Sequence, residues 1–288
     1  MFPFKKLFSS SDRNHDTNDP ELAYTLAELM DRVGHELYGN NYYKTMDAQI
    51  TAKRDPNYRA NVDTKNLPKA WELLKQKTWL GLQNINGAKK ITTLAPLENL
   101  PQLESLTIAG NLVEDLRPIA ALTQLRKFQA HQNRVRDLSP LQNCRELRHL
   151  TLWDNPIEDF TPLSALPHLN ELWISSDQVS AFKRCTALPA LEHLRVSDDG
   201  DPCSLRDFPE MPRLRTLHIV NLQSVDGIER FPELINLDAK GTFQNLAALV
   251  SLRHLTKARF DTPSPLDVAP LAALYALREL SFHSLALG

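Results

Sequence analysis

The stretch 147-LRHLTLWDNPIEDFTPLSALPH-168 is 22 residues long and stands among near copies of itself. LESLTIAGNLVEDLRPIAALTQ (103–124) and LRKFQAHQNRVRDLSPLQNCRE (125–146) precede it. LNELWISSDQVSAFKRCTALPA (169–190) follows, and then the 23-residue unit 191–213. A fixed period of this length is the mark of a chain built from stacked supersecondary units. Further units open at Leu214, Leu234, Leu255 and Leu277 with a looser period. Before Leu103, ITTLAPLENLPQ reads as the back half of one more unit, with its front half somewhere in TWLGLQNINGAKK.

Each unit has a physical logic. In LxxLxI, Leu106 and Ile108 alternate with Ser105 and Thr107, the period-two pattern of a short strand with one apolar side. Asn111, Asn133 and Asn155 stand three residues past the last apolar strand position, where an amide can satisfy backbone groups of a buried turn. The DLSPL element brings Leu138 and Leu141 back inward, and its proline suits a tight return rather than a long helix. No unit can bury its apolar side alone, so each needs a neighbour.

These residues resemble the leucine-rich repeat family, in the 22-residue form with LxPLxxLxxL backs. They are similar to the repeats of bacterial internalins and of eukaryotic phosphatase-regulating repeat subunits. The likeness covers about residues 78–287. It implies an α/β solenoid of about ten short parallel strands on a concave face, with 3₁₀ or irregular turns on the convex face. It also implies a binding scaffold and not an enzyme, since folds of this kind serve unrelated partners.

The N-terminal quarter reads differently. Residues 1–19 are polar and turn-rich after MFPFKKLF and read as a flexible leader; 20–77 read as a helical cap and 78–288 as the repeat domain. Leu22, Leu26, Leu29, Met30, Val33 and Leu37 fall at helical spacing, with GNN at 39–41 as the stop. A second helix starts near Leu67 with Pro68 in its first turn, and packs Trp71 and Leu74 inward. Such helices suit the cover of an exposed solenoid end. The alternative is an effector or enzyme whose activity lies in 1–77, using His35, Asp47, Asp55, Asp63 and the tyrosines Tyr38, Tyr42 and Tyr43, with the repeats used for targeting. About fifty ordered residues rarely enclose a catalytic pocket, and the cap reading is preferred.

Composition narrows the function classes. The net charge of −2, from 33 basic and 35 acidic residues, gives no bulk attraction to nucleic acid or to anionic membranes. No apolar run is long enough for a signal peptide or a membrane span. Cys144, Cys185 and Cys203 show no metal or disulfide spacing. The first two align with core leucines and read as small apolar side chains, whereas Cys203 lies in an insertion at 199–204 and is expected to be partly exposed. No P-loop, HExxH motif, nucleophile elbow or dinucleotide fingerprint occurs, so neither a metal nor a cofactor is expected.

Strand alternation supplies the candidate site. If Leu150 and Leu152 face inward, His149, Thr151 and Trp153 face the concave surface. Carried along the repeats, this places Lys127, Gln129 and His131 there, and then His149, Trp153, Glu171 and Trp173. His193, Arg195, His218, Asp238 and Arg259 continue the rows. Two tryptophans near each other at solvent-facing positions suit an anchor for a protein partner. The histidines would charge the face near neutrality, but no cysteine joins them for zinc. The expectation is a cytoplasmic protein-binding module acting as an inhibitor, regulator or immunity protein, with no nucleic acid and no membrane among its partners. At the other end, LRELSFHSLALG stops without a cap, so a monomer with weak self-association at that edge is expected, Leu285 and Leu287 folding back over it.

Overall fold

Strands form wherever the LxxLxL pattern sets leucine, isoleucine or valine on alternate positions, and turns form wherever Asx-x-x-Pro interrupts it. The computed structural model describes residues 20–32, 67–84, 90–197, 200–243, 245–263 and 266–283. The chain divides into two compact units, Met1–Leu147 and Arg148–Gly288.

In the first unit, helix α1 (Pro20–Asp31) and helix α2 (Leu67–Leu74) precede three parallel strands, β1 (Trp79–Gly81), β2 (Ser105–Thr107) and β3 (Lys127–Gln129). Leu22, Leu26, Leu29 and Met30 are buried on α1, as are Trp71 and Leu74 on α2. The expected helical positions Val33 and Leu37, the stop at 39–41 and the leader lie outside the described residues, as does the candidate chemistry of His35, Asp47, Asp55 and Asp63. The helices are tied to the first coil by polar contacts as well as by packing. Thr25 Oγ1 donates to the Thr93 carbonyl at 3.1 Å, Thr92 Oγ1 donates to Glu21 Oε2 at 2.8 Å, and Gln102 Nε2 donates to the Leu74 carbonyl at 3.0 Å. The missing front half of the first unit is TWLGLQN. Leu80 pairs with Leu106, which pairs with Phe128, and all three are buried.

The asparagines do what their spacing predicts. Asn111 Nδ2 donates to the carbonyls of Leu82 (2.8 Å) and Ile108 (2.9 Å), while its Oδ1 accepts from the Ile91 amide at 2.9 Å. Asn133 repeats this one coil on, with Ile108 (2.9 Å), Ala130 (3.0 Å) and the Val113 amide (3.0 Å). Each amide therefore stitches its own turn to the preceding coil and leaves fewer buried backbone groups unpaired. At the coil backs, Asp115 and Asp137 accept the amides of Arg117 and Ser139, both at 2.8 Å, which starts the 3₁₀ turns Arg117–Ala121 and Ser139–Asn143. Proline occupies the first turn of both, where its missing N–H costs nothing.

The second unit carries seven parallel strands hydrogen-bonded in chain order: β4 (His149–Thr151), β5 (Glu171–Ser175), β6 (His193–Ser197), β7 (Thr216–Leu222), β8 (Asn236–Gly241), β9 (Lys257–Asp261) and β10 (Glu279–His283). One register runs through them, Leu150, Leu172, Leu194, Leu217, Leu237, Ala258 and Leu280. The looser units after 199 thus keep the strand alignment, and their length changes fall in the loops. A bulge separates Ile219 from Leu222 on β7. Gly241 lies so close to the backbone of Leu222 that a Cβ there would overlap it, so only glycine permits this approach.

Two details depart from the simple repeat. At the asparagine position of the fifth unit Asp177 is exposed, and its neighbour Gln178 is buried in its place. Gln178 Nε2 donates to the carbonyls of Leu152 (3.1 Å) and Asn155 (2.7 Å), and its Oε1 accepts the Ser175 amide at 3.0 Å. The longer side chain restores the stitch after a one-residue shift, and a short helix, α3 (Val179–Phe182), replaces the usual 3₁₀ back. Phe182 stands edge-on between Phe160 (5.4 Å) and Phe208 (5.9 Å), filling the wider back of that coil. Farther on, Leu222 is core, and Asn221, at φ 55°, carries the polar turn contact by donating to the Gly200 carbonyl at 2.8 Å.

Cys203 also departs from expectation, being buried rather than partly exposed. Its amide donates to the Asn221 carbonyl and its carbonyl accepts from Gln223, so the insertion is laced to β7 and the thiol turned inward. Cys144 and Cys185 are buried as their alignment with leucines requires. Burial raises the Cys144 and Cys203 thiols to about 12 and about 11, and raises Cys185 as well. None is poised as a thiolate nucleophile.

Candidate protein-binding face

The outer side of each sheet is set by the same alternation that builds the core. In the first unit Lys127 is exposed, and Gln129 and His131 are half-buried. Thr107 Oγ1 donates to Gln129 Oε1 at 2.9 Å, so these two polar side chains lie together across β2 and β3. Trp79, also on the outer side, is 60% exposed, and its ring lies against Gly81. This aromatic was missed in the sequence because the front half of its unit could not be aligned. Pairing Leu80 with Leu106 would have placed it beside Ser105.

In the second unit the outer side carries most of the candidate residues. Trp153 and Trp173 are half-buried, neither core nor fully solvated. Trp173 pairs in register with Thr151 of β4 and Arg195 of β6. The Arg195 guanidinium carbon stands 5.1 Å from the centre of the Trp173 ring, a cation–π contact at an exposed site, contributing about 0.5–1 kcal/mol. His149 Nδ1 lies 2.7 Å from Glu171 Oε2, and His218 Nδ1 lies 3.0 Å from Asp238 Oδ2. Arg259 Nε approaches the other oxygen of Asp238 at 4.0 Å. His193 is exposed.

Three groupings therefore emerge from the candidate residues: His149 with Glu171, Trp173 with Arg195, and His218 with Asp238 and Arg259. Opposite charges alternate across neighbouring strands, so the cations are not arranged as a continuous track for a phosphate backbone. Thr151 and Ser175 face outward by alternation yet are buried, being short side chains overshadowed by longer neighbours. Ser175 Oγ accepts the Asp154 amide at 3.2 Å, which fixes the turn after Trp153, where Asp154 has φ 60°.

Among the described residues, no group of three or more His, Cys, Asp or Glu side chains is placed to hold a metal ion. Nor is any helix among them long and apolar enough to cross a membrane. Along the coil backs of the first unit, a depression of about 310 Å³ is lined by Thr93, Leu94, Ala95, Glu98, Asp115, Arg117 and Pro118. Arg117 is held there by Asp115, with Nη2 2.7 Å from Oδ2, and the Arg117 hydrogen bond lowers the Asp115 carboxyl from its ordinary value.

Parallel strands in chain order, 3₁₀ backs and stitched asparagine turns define a leucine-rich repeat fold, a scaffold architecture that generally binds proteins. The description "Leucine Rich repeats (2 copies)" matches residues 123–165. Among solved structures, the chain is similar to an internalin C2 from Listeria monocytogenes, with 20% identity and a TM-score of 0.48 over 82% of this chain and 91% of that one. An internalin F from the same organism is 17% identical with a TM-score of 0.47, over 85% and 96%. The functional domain of InlJ from Listeria monocytogenes is 16% identical with a TM-score of 0.42, over 65% of this chain and 41% of that one. No curated protein sequence matches the chain.

Proposed function

We propose that the chain is a protein-binding scaffold whose partner docks on the outer strand face of the second unit, anchored at Trp153 and Trp173. The observation that carries this reading is the pair of half-buried indoles, Trp173 on β5 beneath Arg195 and Trp153 two residues past β4. Tryptophan and arginine are the side chains most often responsible for binding energy at protein interfaces. The surrounding His149–Glu171 and His218–Asp238 pairs form a polar rim, and His193 and Arg259 complete it. On the first unit, Lys127, Gln129 and His131 offer a second polar contact surface. An inhibitor, regulator or immunity protein of the cytoplasm, acting on a single protein, fits a scaffold of this kind, which works by occupying a surface and needs no cofactor.

The test is capture of a partner from the native host by wild-type chain and by Trp153→Ala/Trp173→Ala, followed by titration of the identified partner. Truncating central aromatic anchors costs about 2 kcal/mol or more, roughly thirtyfold in Kd. Solvent-facing strand positions should cost the fold less than about 1 kcal/mol. A double variant that unfolds would show the rings to be core. One that folds and binds at full strength would move the site elsewhere.

A further inference from the structure

We infer that β10 is a self-complementary edge, on which β10 of a second copy of this chain pairs antiparallel. The core loosens abruptly in the last coil. Leu246 and Ala258 of the preceding coil are sealed, whereas their counterparts one coil later, Val268 and Leu280, are 45% and 44% exposed, although Leu271 and Leu274 at the back of that coil stay buried. Phe282 stacks on Phe260 at 5.8 Å, yet it too keeps part of its surface open. Among the described residues nothing covers this side, and the apolar positions are those that a following coil would bury.

The backbone of the edge specifies how it can be extended. The Glu279 amide donates to the Thr256 carbonyl at 3.0 Å. Strand alternation then turns Ser281 and His283 toward β9 as well, and leaves the N–H and C=O groups of Leu280 and Phe282 directed outward. A two-fold axis through Ser281 would place Leu280 opposite Phe282 of the second copy, each pair exchanging both outward hydrogen bonds. The same axis sets Glu279 opposite His283 and Ser281 opposite itself. Apolar meets apolar on the inward side, and a carboxylate meets an imidazole on the outer side. Within its own chain Glu279 Oε1 already holds Lys257 Nζ at 2.8 Å, and His283 pairs in register with Asp261, so neither end of the strand presents uncompensated like charge. Addition of a strand to a sheet edge is an established mode of recognition. Here the two-fold match of ELSFH with itself selects a second copy as the added strand.

The register makes the test specific. Facing Ser281 residues form a non-hydrogen-bonded pair with Cα atoms about 4.5 Å apart, within disulfide range. Full-length Ser281→Cys should therefore give a covalent dimer on mild oxidation, while Leu280→Cys and Lys257→Cys should not. The native cysteines are buried and contribute little background. By sedimentation equilibrium the wild-type chain should dimerise as its concentration is raised to about 100 μM, and Leu280→Pro, which removes an outward amide, and Leu280→Lys should each weaken the dimer at least tenfold with melting unchanged. A wild-type chain that stays monomeric overturns the proposal, including the case in which it dimerises only after removal of residues 284–288. So does a dimer indifferent to both Leu280 variants, or a disulfide that forms as readily from Lys257→Cys.

Discussion

Gln178→Ala should be among the more damaging polar substitutions in the second unit, although nothing in the repeat pattern marks the position. The side chain is 2% exposed and makes three hydrogen bonds, to the Ser175 amide and to the carbonyls of Leu152 and Asn155. After truncation the Leu152 carbonyl keeps Asn155 Nδ2 at 3.0 Å and the Asn155 carbonyl keeps the Ile157 amide at 2.9 Å, so one group is orphaned, the Ser175 N–H. A buried group left without a partner costs about 1–3 kcal/mol, which is the loss expected here. Asp177→Ala, one residue earlier and exposed, should stay within about 0.5 kcal/mol. Urea unfolding followed by circular dichroism measures both, and the slope m should not change if the effect is on stability alone. The reasoning fails if Asp177→Ala costs as much as Gln178→Ala, or if the latter costs less than about 0.5 kcal/mol.

Two further outcomes follow from titrating groups. Cys144, Cys185 and Cys203 are buried with raised thiol pKa values, so at pH 8 a thiol reagent should modify none of them in the folded chain and all three in denaturant. Rapid labelling of native Cys203 would show that the 199–204 insertion opens. Asp159 is held below the ordinary carboxyl value of 3.8, chiefly by the Thr161 amide and then by its hydroxyl. A depressed folded pKa stabilises above the unfolded value and loses that stabilisation as pH falls through the folded one. The stability difference between wild type and Asp159→Asn should thus be full near neutrality and fall away as pH drops below 3.8 and through the folded value. A difference that persists undiminished at lower pH would assign the effect to something other than the charge.

Periodicity makes most of the architecture legible in the sequence. The 22-residue recurrence of leucine fixes coil length, alternation within LxxLxL fixes which side of each strand is apolar, and both depend only on neighbours in sequence. The strand starts at Ser105, Lys127, His149, Glu171 and His193, the burial of Cys144 and Cys185, and the position of Trp173 beside Arg195 between the buried Leu172 and Ile174 all follow from that local rule. The asparagine stitch was legible for the same reason at Asn111 and Asn133. Tertiary structure decided the exceptions. Gln178 replaces the expected residue because its longer amide reaches the carbonyls of the preceding coil, whose positions no local pattern records. Cys203 is buried because the insertion around it hydrogen-bonds to β7, a neighbour some twenty residues away. The charge pairs on the outer face and the cation over Trp173 likewise depend on how far each side chain leans across its neighbouring strand. Repetition determines which face a residue occupies. What it touches there depends on the residues that interrupt the repetition.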